Sequence, residues 1–142
     1  MSNGLVLALL IGGDAMSEEF DWVTARSQCS LPNVFKTLLL EVEEDVKKRN
    51  ALRPNNSPYE FKVIENGDDF RVVLEAKDVR RSVIFQLAEH SISVRDELGT
   101  RMFEVTLSFS DEGKCRLKVD DVERELWQVR RIALEELLFR AN

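Results

Sequence analysis

From Tyr59 to Val119 the chain alternates apolar and polar residues, broken at Asn66-Gly67, Gly99 and Gly113 and flanked on both sides by helical sequence. A period of two sends successive side chains to opposite faces of a strand, so this stretch specifies an antiparallel sheet with one apolar and one wet face. Strands are expected at Tyr59 to Ile64, Phe70 to Ala76, Ser82 to Ala88, Ser91 to Asp96, Arg101 to Phe109 and Cys115 to Val119. Short connections make neighbours antiparallel, and the glycines tolerate the positive φ that tight hairpins require. Glu89-His90 is the least typical of these turns.

Sorted by alternation, Tyr59, Phe61, Val63, Phe70, Val72, Leu74, Val83, Phe85, Leu87, Ile92, Val94, Phe103, Val105, Leu107, Cys115 and Leu117 share one face. The other face carries Glu60, Lys62, Arg71, Glu75, Gln86, Ser93, Arg95, Glu104, Thr106, Arg116 and Lys118, interrupted by Val73 and Ile84. These two read as ordinary exposed apolar residues, with the centre of a contact patch as the alternative. Six strands at about 4.8 Å spacing span nearly 30 Å, whereas two helices of about 10 Å diameter cover roughly 20 Å. The remainder must be covered by sheet curvature, by an arm containing Phe20 and Trp22, by a second copy, or by a ligand.

A helix is expected from near Pro32, with Ser30 or Leu31 at the cap and Phe35, Leu38, Leu39, Val42 and Val46 on one stripe. Glu41, Glu43, Glu44 and Asp45 precede Lys47, Lys48 and Arg49, an order that suits the helix dipole. Phe20 to Gln28 reads equally as a short helix or an extended arm, and Ala51 to Pro58 as a linker. The C-terminal helix is expected from Asp121, or from Trp127, to Phe139, its stripe of Leu126, Val129, Ala133 and Leu137 broadened by Trp127, Leu134 and Leu138. Arg130, Arg131, Glu135 and Glu136 are expected to face away from it. Asp120 as N-cap with Glu123 in a capping box is preferred over an Asp120-Asp121 turn leading into a seventh strand. The expected fold class is α+β: an N-terminal helix, an antiparallel meander of about six strands with one apolar face, and a C-terminal amphipathic helix packed on that face.

A chain of 142 residues, 44% hydrophobic, supports one core, so residues 17–142 are expected as a single domain and residues 1–16 as an apolar extension outside the fold, with a strand or short helix packed on the domain as the alternative. The run Leu5 to Ile11 is far shorter than a membrane span and no Lys or Arg precedes it, so neither a span nor a cleaved signal is expected. A net charge of −6 makes nucleic acid an unfavourable partner. Cys29 and Cys115 have no CxxC spacing and are expected as reduced thiols in a cytoplasmic protein.

Chemical motifs are sparse. There is one histidine, His90, and no HExxH, DxDxDG, GxSxG or GxxxxGK(S/T). Glu41 to Asp45 reads as a solvated helix face, and Asn66 to Asp69 as a turn rather than a calcium loop. No catalytic residue, metal ligand or cofactor is therefore expected. Lys62, Arg71, Arg95, Arg116 and Lys118 make the wet face a candidate interaction surface, with ordinary cross-strand ion pairing as the competing account. Leu137, Leu138 and Phe139 offer a helix contact, and the outer strands offer edges for strand addition.

The helix-flanked sheet is similar to helix-grip folds, in which a curved sheet wraps a C-terminal helix and leaves a cavity for an apolar ligand. With its small size and acidic charge it is also loosely similar to bacterial secretion chaperones, whose strands are interrupted by a central helix that has no counterpart here. Neither similarity rests on a motif, and neither assigns a function. The expectation is a non-catalytic protein-interaction or assembly module whose partner is another protein or a second copy, not an enzyme. The alternative is a carrier or enzyme with an apolar-ligand cavity between sheet and helices.

Overall fold

The computed structural model describes residues 19–76 and 79–140, so the expected extension at residues 1–16 lies outside the described residues. A short helix α1 (Trp22–Gln28) leads into a long helix α2 (Leu31–Leu52). Seven strands follow: β1 (Glu60–Asn66), β2 (Asp69–Ala76), β3 (Val79–Leu87), β4 (Ile92–Asp96), β5 (Arg101–Phe109), β6 (Cys115–Val119) and β7 (Val122–Arg124). Helix α3 (Leu126–Phe139) closes the chain. The sheet runs in sequence order, β1 to β7, with every pair antiparallel. The fold is the α+β arrangement that the hydropathy pattern specifies. None of the described helices is long and apolar enough to cross a membrane.

Local chemistry sets the helix boundaries. Asp21 caps α1, its carboxylate accepting from the Thr24 amide at 3.1 Å. Ser30 caps α2 by accepting from the Asn33 amide, and Pro32 lies in the first turn, where a missing N–H costs nothing. Helix α2 continues through Ala51 and Leu52, two residues past the expected start of the linker, and stops before Pro54.

The start of α3 differs from expectation. Asp120 and Asp121 form the tight turn, both with positive φ (48° and 71°), and Val122–Arg124 pairs with β6 as a seventh strand. The N-cap is Glu125, whose side chain and that of Gln128 satisfy each other's backbone amides. The turn is stabilised from outside itself. The Asp120 carboxylate accepts from the Glu104 amide at 3.3 Å and from Arg101 at 2.5 Å, contacts from β5 that offset the cost of two non-glycine residues in left-handed conformation.

The apolar face is organised by register. Phe70, Phe85, Val94 and Phe103 form one cross-strand row, and Leu87, Ile92, Val105 and Val119 another. Phe70 and Phe85 stack with ring centroids 4.6 Å apart, and Phe35 of α2 tilts onto Phe70 at 5.2 Å. Leu38, Val42 and Val46 continue the α2 stripe into this core, joined by Val129, Ala133, Leu134, Leu137 and Leu138 of α3. On the opposite face, Ile84 is half-buried, whereas Val73, between Lys62 and Ser82, is buried.

Coverage of the far strands comes partly from the N-terminal arm. Phe20 lies over Gly113 in the β5–β6 turn, so close that a Cβ there would come within 2.5 Å of the ring. Cys29, between α1 and α2, is bonded to Cys115 at the start of β6, across 86 residues of sequence and 5.3 Å between Cα atoms. The expectation of two reduced thiols is thus corrected. The α1–α2 junction lies against β6, a proximity that the separation in sequence conceals. Disulfides persist mainly in oxidising surroundings, which removes the thiol argument on which a cytoplasmic location rested.

Closing a loop of this length restricts the unfolded chain. Replacing both cysteines by serine is expected to cost roughly 2–4 kcal/mol. Urea denaturation of that variant and of the parent chain with reductant should give the same lowered stability, distinct from the oxidised parent. Coincident curves for oxidised and reduced parent would contradict this.

Candidate docking site

The five basic residues expected on the wet face do not converge. Lys62, Arg71 and Arg95 project from β1, β2 and β4, whereas Arg116 and Lys118 lie on β6. Arg116 pairs with Glu123 at 2.8 Å and Glu112 at 3.3 Å, and Lys118 stands opposite Glu123 in register. Arg71 aligns with Ile64, Ile84 and Arg95 across four strands, and Arg95 donates to the Gly99 carbonyl. The β6 end of the face is therefore locally neutralised.

Between these halves lies a polar network of which the sequence pattern places only Glu104 on the wet face. Glu104 accepts from the Ser91 hydroxyl at 2.8 Å and from Arg101 at 3.2 Å. The Ser91 hydroxyl, then Arg101, hold its carboxyl below the usual value of 4.5. Hydrogen bonding and the neighbouring carboxylates also favour the charged form of Arg101. His90, the sole imidazole, is exposed beside Glu89 at 3.4 Å.

The sheet edges are blunted. The Asn50 side chain donates to the Phe61 carbonyl at 2.8 Å and accepts from the Phe61 amide at 3.0 Å, taking both groups that edge strand β1 presents there. The other edge, β7, has three residues. Short or covered edges resist strand addition.

The helical side carries the more developed surface. Arg130 of α3, expected to face solvent, instead reaches α2, donating to Asp45 at 2.7 Å and to Glu41. Its side chain is 19% exposed, which makes the pair stronger than an ordinary surface bridge. Glu41 and Asp45, expected as part of a solvated acidic face, are thus partly structural. One turn further, Arg49 donates to the Leu138 carbonyl at 2.8 Å and lies over the Phe139 ring at 4.8 Å. These contacts run α2 and α3 in the same sense, so their negative dipole ends lie together and Arg49 offsets them.

Holding the helices at these two points leaves a groove of about 370 Å³ between their outer surfaces. Leu134 and Leu138 lie at its base, Leu52, Trp127 and Phe139 on its walls, and Asp45, Lys48, Arg49, Arg130, Arg131 and Glu135 among its lining. Trp127 also borders a second groove of about 210 Å³ with Gln128, Arg131 and Ile132. Leu52, Trp127 and Phe139 are at least half exposed. Of the expected helix contact, Leu137 and Leu138 are buried in the core and Phe139 alone is exposed. Helical periodicity assigned Leu137 and Leu138 correctly to the apolar stripe, and the stripe is consumed by the sheet. Trp127, placed on that stripe from sequence, lies at its margin, and Leu52, read as linker, is the last residue of α2. Neither was singled out for function, although both are large apolar residues at a helix end.

Among the described residues, no group of three or more His, Cys, Asp or Glu is placed to hold a metal ion. No protein-family profile matches this chain, and no curated protein or solved structure matches it either.

Two outcomes follow. Arg130→Ala should remove both ion pairs that Arg130 makes to α2, leaving the Arg49–Leu138 contact in place, and cost about 1–2 kcal/mol, between the values for exposed and buried pairs, measured by urea denaturation, because it also leaves Glu41 and Asp45 without their cation. An unchanged midpoint would show that the pair is ornamental. Glu104, with its folded value depressed, contributes stability that is present above its unfolded value and is lost as pH falls through the folded one. Ser91→Ala should move the Glu104 carboxyl titration upward toward 4.5 in an NMR pH series. A fixed midpoint would assign the depression to Arg101 alone.

Proposed function

We propose that this protein is a non-catalytic protein-interaction module and that the groove between α2 and α3 is its docking surface. One observation carries the reading: Leu52, Trp127 and Phe139, large apolar side chains at least half exposed, converge on one concave surface whose walls are held in place by Arg130 and Arg49. Isolated exposed apolar residues are ordinary, but a cluster of aromatic anchors beside a groove with a charged rim has the anatomy of an interface core. An amphipathic helix suits it, since the groove runs between two helices and offers apolar contact along its base.

The sheet–helix interface supports this reading over a carrier with an internal cavity. That interface is occupied by Phe35, Phe70, Phe85, Leu38 and Val129, and both grooves described above open on the outside of the helices. The blunted edges likewise favour a helix surface over strand addition.

The experiment places a photo-crosslinking residue at Leu52 or Phe139 in the groove, and at Ile64 or Arg71 on the opposite sheet face, in separate full-length chains. A discrete protein adduct is expected from the groove positions, which mass spectrometry identifies as the chain itself or another protein. Adding Trp127→Arg should lower its yield about tenfold, the effect of losing roughly 1.4 kcal/mol of binding energy. Adducts confined to the sheet face, or indifferent to Trp127→Arg, would sink the reading.

A further inference from the structure

Helix α3 presents on its outer side a row of residues four apart: Trp127, Arg131, Glu135 and Phe139. Trp127 and Phe139 are 50% and 60% exposed, and the side chains of Arg131 and Glu135 are 64% and 39% exposed. Read in order, the row is aromatic, cation, anion, aromatic. Its two halves correspond in type, aromatic at the ends and charged within, and are opposite in charge about the level of Ala133.

That order is what an isologous contact requires. A two-fold axis at the level of Ala133 reverses the direction of the second helix, so residue i meets residue j and j meets i. Trp127 then faces Phe139 of the second copy, and Arg131 faces Glu135 of the second copy, with the reciprocal pairs formed by the same operation. A parallel arrangement in register would instead set Arg131 against Arg131 and Glu135 against Glu135. The row therefore complements itself in one orientation only.

Space on either side of the row matches this geometry. The larger groove lies between the row and α2, the smaller between the row and Gln128 and Ile132, and Trp127, Arg131 and Glu135 border both. Side chains four apart form a ridge, and ridges of this class pack into the grooves beside equivalent ridges of a crossing helix. The aromatic ends supply apolar contact and offset stacking, while the central charges set direction and register. In each chain Arg131 and Glu135 already lie 3.1 Å apart, so association brings a second carboxylate to each guanidinium without rearranging the first.

We infer that the occupant of the docking surface is a second copy of this chain, bound through an antiparallel contact between the two α3 helices. This rests on the proposed reading of the groove as a docking surface. The contact is confined to one helix row and its flanks, and interfaces below about 1,200 Å² belong to the weak, reversible class, so a weak association is expected.

The test is sedimentation equilibrium of the full chain to about 1 mM, a range that detects even an affinity worth about 4 kcal/mol. The oxidised parent chain should show a monomer–dimer equilibrium. Arg131→Glu and Glu135→Arg should each raise the dissociation constant at least about tenfold, since like charges then meet across the axis. A mixture of the two variants should recover association to near the parent level, because one copy then carries two anions and the other two cations. Both variants lack the intrachain pair, alone and mixed alike, so recovery reports pairing between copies. Circular dichroism confirms that each variant retains the parent fold. A variant that does not is replaced by Phe139→Ser at the exposed helix end, with the same loss expected.

A parent chain that stays monomeric, a dimer indifferent to every variant, or a mixture no tighter than its components would overturn the inference. A monomeric parent whose groove positions still crosslink to a different protein would overturn the second copy alone and leave the docking reading standing. A parent dimer that ignores these variants, with adducts only from the sheet face, would overturn both.

Discussion

The structure depends on covering one face of a seven-stranded sheet. Phe70, Phe85, Val72, Ile92 and Val94 are fully buried only because α2 and α3 lie across them. Each such side chain is worth roughly 1.5–3 kcal/mol when removed from water. That term is large but non-directional, and leaves open how two helices share one face. Direction comes from Arg130, reaching Glu41 and Asp45, and Arg49, reaching the last turn of α3.

Those tethers have a cost and a product. Running two helices in the same sense places their negative ends together, an arrangement that the guanidinium of Arg49 offsets. It also leaves the outer surfaces of the helices as neighbours, with Leu52, Trp127 and Phe139 outside the core. The groove is thus a by-product of how the sheet is covered, and the apolar residues along it are those the sheet did not need. The opposite face is settled differently. Arg101 pairs with Glu104 along β5 and with Asp120 in the β6–β7 turn, and Arg116 pairs with Glu123 across β6 and β7, which leaves less unsatisfied charge there than a list of the basic residues suggests.

The edge of the sheet and the disulfide show how the periphery is closed. Asn50 lies two residues from the end of α2 and pairs with Phe61 as a further strand would. Cys29 and Cys115 fasten the α1–α2 junction to β6, and Phe20 lies over the adjacent turn. The two long helices lean toward the early strands, and the short N-terminal elements reach the late ones.

Alternation and helical spacing are local properties, and they were sufficient for the six longer strands and the two long helices, though not for the short helix α1 or for β7. Period two determined the six principal strands and which side of each is apolar. The three- and four-residue spacing of Phe35, Leu38, Val42 and Val46, and of Val129, Ala133 and Leu137, determined both long helices and their buried stripes. What failed were contacts between residues distant in sequence. The Asp120-Asp121 turn reads as poor because its support comes from Arg101 and the Glu104 amide. Arg130 reads as solvent-facing because its carboxylates lie 85 and 89 residues away. Cys29 and Cys115 read as separate thiols for the same reason. The palindromic row on α3 was present in the sequence throughout. Helical spacing already turns Arg131 and Glu135 outward; only the tertiary structure decided that Trp127 stands outside the core with them, because the sheet has one apolar face to offer and α3 could bury only one side against it.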